Sequence, residues 1–375
     1  MTKIKILYLN NFEAPYRVPF YNLLGDRYNL TLMLSEKPEE VLERNILWFN
    51  NGLKKYNIKY INHKNIFCSI RSVYGIYNDI KQNDIVFMDM YGTKFNIITA
   101  LLMYFSKKKF FMSVDGLLKK RRENKIKRIF KQIILYRADK ILSPSSYVDD
   151  CLGEYGVNKN KIKRYHFTSV ANKDLSENNT TDKKFKINLR KDLKLPSDID
   201  AKIILTVGRF TNGSGIRKGY DILLRAMDYL PDNYYLIIVG DQPDEYFDKI
   251  FNEINSKRII LIGFKEKESL KKYYDSADIF CLQTREDIWG LVINEAMARG
   301  LPIITTRTCG AGIALVKNGE NGYLGDAEDV NELVKNMRNI LDDNFNLSAF
   351  GKKSRDIISD WTIENMTKDH IEIFG

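Results

Sequence analysis

Short apolar runs alternate along this chain with longer stretches whose apolar positions recur at helical spacing. A run that is apolar throughout suits a strand buried on both faces of a parallel sheet, and a three-to-four spacing suits the helix that crosses over to the next strand. In the first half the strands are expected at Lys3 to Asn10, Leu30 to Leu34, Asp84 to Met88, Lys109 to Val114 and Lys140 to Leu142. Helical spacing marks Tyr16 to Leu24 and Phe95 to Tyr104. Residues 171–200 interrupt the rhythm with Ser176-Glu177-Asn178-Asn179-Thr180-Thr181-Asp182 and Pro196-Ser197-Asp198, which read as a linker. Alternation then resumes, with strands at Lys202 to Val207, Tyr234 to Val239, Ile259 to Leu261, Ile279 to Leu282 and Pro302 to Thr305. The helices between and after them are expected at Tyr220 to Tyr229, Asp244 to Asn255, Lys267 to Asp275, Val292 to Arg299 and Val330 to Leu341.

The pattern predicts an α/β chain of two doubly wound parallel-sheet domains facing a central cleft, with ligands beyond the carboxyl ends of the strands. The expected domains are residues 1–180 and 186–356, and the last segment, 357–375, carries an apolar stripe suited to packing back on the first domain. A length of 375 residues fits two such cores.

Composition narrows the class. With 44% hydrophobic and 29% charged residues the chain reads as globular, not disordered or fibrous. The apolar run from Ile97 to Phe105 is too short to span a bilayer, and the Met-Thr-Lys-Ile-Lys start lacks an apolar core, so a cytoplasmic location is expected. Cys68, Cys151, Cys281 and Cys309 have neither metal-ligand nor disulfide-framework spacing. His63 and His370 have no partner at ligand spacing, so no metal is expected.

Charge divides unevenly. Residues 1–184 hold 33 Lys and Arg against 18 Asp and Glu, a net of +15, and the remainder 26 against 30, a net of −4. The basicity peaks between Lys107 and Lys140, where Lys119-Lys120-Arg121-Arg122, Lys125, Lys127, Arg128 and Lys131 interleave with Ile126, Ile129, Phe130, Ile133 and Ile134. This spacing predicts a basic amphipathic helix, which either packs its apolar stripe on its own sheet or rests on an anionic membrane surface. Such a patch also offers non-specific affinity for nucleic acid, but no reading motif accompanies it and nucleic acid is not the expected partner.

Two stretches carry candidate chemistry. Val207-Gly208-Arg209 ends a strand, and Lys218-Gly219-Tyr220-Asp221 opens a helix after a loop with Gly213, Ser214 and Gly215. A glycine-rich turn flanked by Arg and Lys suits a diphosphate; the plainer alternative is a surface loop with solvated cations. From Arg285 to Ile304 a polar loop runs into a helix and a buried strand, with Asp287, Gly290 and Glu295 placed around the helix start. Alone, this stretch is equally a capped helix. Asp198-Ile199-Asp200 precedes a strand and reads as a polar turn, not a metal site.

Val-Gly-Arg…Lys-Gly-Tyr-Asp at 207–221, Val-Gly-Asp at 239–241, Gly263-Phe264, Tyr273-Tyr274 with Ala277-Asp278, the 285–304 stretch and Asn318-Gly319-Glu320-Asn321-Gly322 together resemble the retaining family-4 glycosyltransferases of GT-B architecture, the glycosyl transferases group 1. The resemblance is continuous through the second half and loose in the first. It implies transfer of a sugar from a nucleotide donor without a required metal. It assigns Arg209 and Lys218 to the donor diphosphate, Glu295 to the ribose, and Asp287 to the acidic position beside the donor sugar, where the family has Glu. Glu286 is an alternative occupant of that position. Gly208, Asp241, Phe264, Gly290, Leu291 and Val292 complete the expected donor site.

In the first half, Asp115 ends a strand and is a candidate for the donor sugar or the acceptor, or simply for a turn. Asn11, Glu13, Tyr16, Arg17 and His166 are expected on the acceptor side, although Arg17 could be a surface residue and His166 a core one. The expected reaction joins a UDP-hexose or UDP-N-acetylhexosamine to a glycan, lipid-linked at the inner face of the cell membrane, in surface polysaccharide or glycoconjugate synthesis. A nucleotide-sugar epimerase of the same fold is the alternative.

Overall fold

The computed structural model describes residues 3–37, 52–61, 70–89, 94–118, 123–175, 183–211, 213–254 and 256–375. They form two units, Met1–Ser169 with Thr362–Gly375, and Val170–Trp361. Lys119 to Arg122, His63, Cys68 and the Ser176–Asp182 stretch lie outside the described residues.

The first unit runs β1 (Lys5–Asn10), α1 (Val18–Arg27), β2 (Asn29–Leu34), β3 (Asn57–Tyr60), α2 (Ile70–Gln82), β4 (Ile85–Asp89), α3 (Lys94–Phe105), β5 (Lys109–Ser113), α4 (Lys125–Arg137), β6 (Lys140–Ser143), α5 (Ser146–Glu154) and β7 (Ile162–Arg164). The sheet order is β3-β2-β1-β4-β5-β6-β7, parallel throughout. Strand order therefore reverses between β1 and β4, and at such a switch point the crossover connections part and leave a crevice beyond the carboxyl ends.

The second unit runs α6 (Lys183–Asp192), β8 (Lys202–Val207), α7 (Ser214–Arg217), α8 (Tyr220–Met227), β9 (Tyr234–Val239), α9 (Glu245–Ile254), β10 (Ile259–Ile262), α10 (Lys267–Ser276) and β11 (Ile279–Leu282). It continues through α11 (Leu291–Ala298), β12 (Ile303–Thr306), α12 (Gly310–Leu315), β13 (Gly322–Gly325), α13 (Val330–Leu341) and α14 (Asn344–Ile358). Its parallel order, β10-β9-β8-β11-β12-β13, reverses between β8 and β11.

The final helix, α15 (Ile363–Phe374), belongs to the first unit and packs on α1. The Thr362 side chain caps it by accepting from the Asn365 amide. Its buried face sets His370 and Phe374 against Phe20, Phe87 and Tyr28.

One local expectation is corrected and one open alternative is narrowed. The stretch read as a linker contains α6, because Lys186 and Arg190 are buried and held: Lys186 Nζ reaches Asp278 at 3.1 Å and Arg190 Nη2 reaches it at 2.7 Å. The apolar positions of α4 also do not form one buried stripe. Ile134 and Leu135 are buried, whereas Ile126 and Ile129 are 64% and 54% exposed and Phe130 is 37% exposed. Among the described residues no helix is long and apolar enough to cross a membrane.

Candidate active site

In the second unit the strand order reverses between β8 and β11, and the segments leaving those two strands carry Arg209 and Lys218 on one side and Asp287 and Gly290 on the other. Gly208 and Arg209, both half-buried, leave the carboxyl end of β8. A side chain at Gly240 would lie 1.9 Å from the Gly208 carbonyl, so glycine lets the exits of β8 and β9 run against each other. Asp241 follows and spends both carboxylate oxygens on the β8 exit, accepting from the Phe210 amide and the Thr211 hydroxyl at 2.6 Å each. Its place in the site is thus to shape the loop that carries Arg209.

The interval between Arg209 and Lys218 is folded into the helical turn α7. Lys218 ends that turn, and Gly219, at φ +69°, redirects the chain into α8. Arg285 ties the turn down: its guanidinium donates to both oxygens of Asp221 at 2.8 Å and pairs with Glu328, while its amide donates to the Arg217 carbonyl at 2.7 Å. Arg285 was not among the expected site residues; the signal for it was the acid at Asp221, one turn past Lys218.

This anchoring brings Lys218 Nζ to Asp287 Oδ2 at 2.5 Å. The Asp287 backbone is fixed too, donating to Thr308 and accepting from Gly310 at 3.0 Å each, and its other oxygen accepts from the Trp289 amide at 3.3 Å. Glu286 is exposed. Of the two acids it is therefore Asp287 that meets Lys218.

Gly290 adopts φ +94° as the cap of α11, and a side chain there would come within 2.9 Å of Cys309 Sγ. The amides that follow, at Leu291 and Val292, open the helix ahead of its first intrahelical bonds and so suit an anion. Burial pushes the Cys309 thiol up to about 12, which leaves it an inert neutral group. On the same helix Glu295 is half-buried and accepts from the Tyr274 hydroxyl at 3.1 Å. Burial first, and the Glu295 carboxylate second, push the Tyr274 phenol well up, so it remains the donor of that bond. Phe264, two residues past β10, is 42% exposed.

At the switch point of the first unit stands Arg17, 1% exposed. This excludes the surface alternative: the guanidinium is drawn inside by two carboxylates, Asp89 Oδ2 at 3.0 Å and Asp115 Oδ2 at 2.5 Å. Asp89, at the end of β4, also accepts from Tyr8 at 2.8 Å and from Ser113. Burial pushes its carboxyl above the usual range, with Arg17 opposing. Asp115 accepts from Tyr165 at 2.5 Å and is the exposed end of this network.

Asn11 Oδ1 is buried and accepts no hydrogen bond among the described residues. Glu13, 3% exposed, is taken up by Lys54 at 2.6 Å and by Tyr56. Tyr16 is half-buried. His166 donates its backbone and ring Nδ1 to Asp369 at 2.8 and 2.9 Å, which joins the segment after β7 to α15. Among the described residues no three His, Cys, Asp or Glu side chains gather into a metal site.

Residues 188–357 match the model of the glycosyl transferases group 1 family. That stretch, most of the second unit, is similar to a group 1 glycosyltransferase domain. An uncharacterised 41.2 kDa protein in the cps region of Klebsiella pneumoniae is 28% identical over 225 residues, 58% of this chain and 56% of that protein. A lipopolysaccharide core biosynthesis glycosyltransferase of Rhizobium meliloti is 23% identical over 184 residues, 48% of this chain and 52% of that protein. The chain thus spans about half the length of the curated relatives it matches. The fold extends further. The Anabaena protein HepE, crystallised with UDP, superposes with a TM-score of 0.78 at 15% identity, covering 99% of both chains. Each unit has one parallel α/β sheet, the two-sheet make-up of the GT-B fold.

Proposed function

We propose that this chain transfers a sugar from a nucleotide-diphosphate donor to a glycan acceptor with retained anomeric configuration, the second unit holding the donor. The observation that carries this is the meeting of Lys218 and Asp287 at 2.5 Å at the switch point of a domain similar to the group 1 family, beside Arg209 and the start of α11. Cleaving the bond between sugar and diphosphate develops positive charge on the ring and negative charge on the leaving phosphate. Arg209, Lys218 and the amides of Gly290, Leu291 and Val292 offset the negative charge without a metal. Asp287 faces the sugar and keeps Lys218 aimed. Glu295, oriented by Tyr274, takes the ribose hydroxyls, and Phe264 lines the site near the base. Asp241 and Gly208 hold the loop. The leaving phosphate oxygen accepts the proton of the attacking hydroxyl, so no protein nucleophile is needed.

Asp115 and Asn11 present polar groups to the acceptor, and His166 is taken as a further acceptor-side residue. UDP-hexose or UDP-N-acetylhexosamine is the favoured donor, since HepE, which shares the fold, holds UDP. A lipid-linked acceptor at the inner face of the cell membrane, in surface polysaccharide or glycoconjugate synthesis, is favoured by the lipopolysaccharide relative and by the exposed apolar residues of α4 among its lysines. Screening nucleotide sugars for thermal stabilisation and slow hydrolysis is the test. A UDP-sugar is expected to stabilise the wild type and not Lys218→Ala. Full activity in both Lys218→Ala and Glu295→Ala overturns the proposal.

A further inference from the structure

The turn that carries Asp287 into α11 is anchored in the second unit by one side chain. Between Glu286 and Val292 only the side chain of Trp289 is buried, at 3% exposed; Ile288 is 55% exposed, and Gly290 has no side chain. The amides of Gly290, Leu291 and Val292 therefore depend for their aim on where this indole sits.

Every polar atom of Trp289 is engaged. Its amide donates to Asp287 Oδ1 at 3.3 Å, and its carbonyl accepts from the Ala311 amide at 2.7 Å and from the Cys309 thiol at 3.1 Å. Nε1–H donates to Asn294 Oδ1 at 3.0 Å, a fully buried side chain on α11 one residue before Glu295. An indole has a single hydrogen-bond donor, which fixes one edge of the ring and leaves its plane to tilt about that edge. The plane is set by Trp361, whose ring stacks on that of Trp289 with centroids 5.7 Å apart and 23° between the planes. Two flat rings hold each other's tilt; an aliphatic neighbour of similar bulk offers no face to do so.

Trp361 is brought to this position by α14. That helix packs on α11, and the Trp361 amide donates back to the Ile358 carbonyl at 2.9 Å where α14 ends. One face of the donor turn thus rests on the start of α12, through Cys309 and Ala311, and its indole rests on the residue that closes α14.

We infer that Trp361 is a positioning residue of the donor site: by stacking on Trp289 it holds the 287–292 turn in the shape that aims the Gly290, Leu291 and Val292 amides at the diphosphate and keeps Asp287 opposite Lys218. The inference rests on the donor site proposed above and adds to it a residue outside the stretch, 188–357, that matches the family model.

The test is calorimetric titration of the full chain with UDP. Trp361→Leu keeps an apolar side chain but no flat face, and is expected to weaken UDP binding about 10-fold, the worth of one hydrogen bond to a charged group. Trp361→Phe keeps a flat face and is expected to recover most of that loss. Phe350→Leu breaks a different aromatic pair of α14, the one with Tyr323 at 5.8 Å, and controls for stability alone. It is expected to lower the melting temperature at least as far as Trp361→Leu and to bind UDP as the wild type does. Wild-type affinity in Trp361→Leu, a loss in Trp361→Phe as large as in Trp361→Leu, or an equal loss in Phe350→Leu overturns the inference and leaves the donor site standing. Absence of UDP binding by the wild type overturns the UDP site itself, and the inference with it.

Discussion

Lys218 and Asp287 lie 69 residues apart in the chain, yet the ammonium of one is 2.5 Å from the carboxylate of the other. The contact exists because α7 and the loop after β11 are tied together through Arg285 and Thr284 on one side and Arg217 and Asp221 on the other. If Lys218 stabilises the departing diphosphate, Lys218→Ala lowers kcat on the order of 100- to 1,000-fold with the fold intact. Asp287→Asn lowers it less, Asp287→Glu recovers part of the loss, and Glu286→Gln leaves it unchanged. Steady-state kinetics with the best donor check this series. A Glu286 variant as impaired as Asp287→Asn would move the acidic role to the exposed neighbour.

Glu295 and Tyr274 make a separate prediction, because a ribose contact is made equally in ground and transition states. Its loss should raise the donor KM and leave kcat nearly unchanged. Glu295→Gln keeps the shape of the carboxylate and is expected to raise KM about 10-fold, within the range of a charged hydrogen bond. Tyr274→Phe removes the donor to Glu295 and raises KM by less. A fall in kcat with constant KM would place Glu295 in the chemical step instead.

The parts of this architecture that could be read from residues are those in which one position answers to its neighbours. Tyr234 to Val239 and Ile279 to Leu282 have the expected bounds, since a strand buried on both faces has little but apolar residues to show. The glycines at 219 and 290, read as parts of a turn and of a helix start, do sit at such points, each at positive φ. What local pattern could not carry is charge burial between distant segments. Lys186 and Arg190 fall within the stretch read as a linker, and their burial is explained only by Asp278, just ahead of β11. Arg17 was open between an acceptor-side residue and a surface one, and only the burial of its guanidinium by Asp89 and Asp115 excludes the surface. The pairing of Lys218 with Asp287 stands between these cases: motif spacing brought both residues forward, and the contact itself depends on Arg285.

Gly219 is a point where backbone geometry limits what the loop tolerates. At φ +69° an added side chain would sit 1.8 Å from the Gln283 carbonyl, a backbone atom that cannot swing away. Gly213, in the same loop at φ +70°, has nothing within 4 Å of that position. Gly213→Ala therefore costs only the left-handed strain, about 1 kcal/mol. Gly219→Ala adds a steric clash and should cost more than about 3 kcal/mol, a fall in Tm of roughly 6 °C or more. Thermal melts of the two variants decide it; equal destabilisation would mean that the contact with the Gln283 carbonyl relaxes.

His370 couples the stability of the first unit to pH. Its ring is buried against Phe20, Phe87 and Tyr165, Nδ1–H donates to the Met366 carbonyl at 2.7 Å, and Nε2 has no partner among the described residues. Burial pushes the imidazole down to about 4 from its usual 6.5, with the Met366 carbonyl opposing. Between those values the unfolded chain holds a proton that the folded chain does not, so stability is full above about 6.5 and falls as pH drops toward about 4, by on the order of 3 kcal/mol. Helix α15 should therefore detach from α1 early in acid. Tryptic cleavage within 362–375 and thermal melts across this range are the measurements. His370→Gln, which carries no titrating ring, is expected to be less stable at neutral pH and to show a flatter dependence on acid; an equally steep decline in both proteins would assign the acid sensitivity to another group.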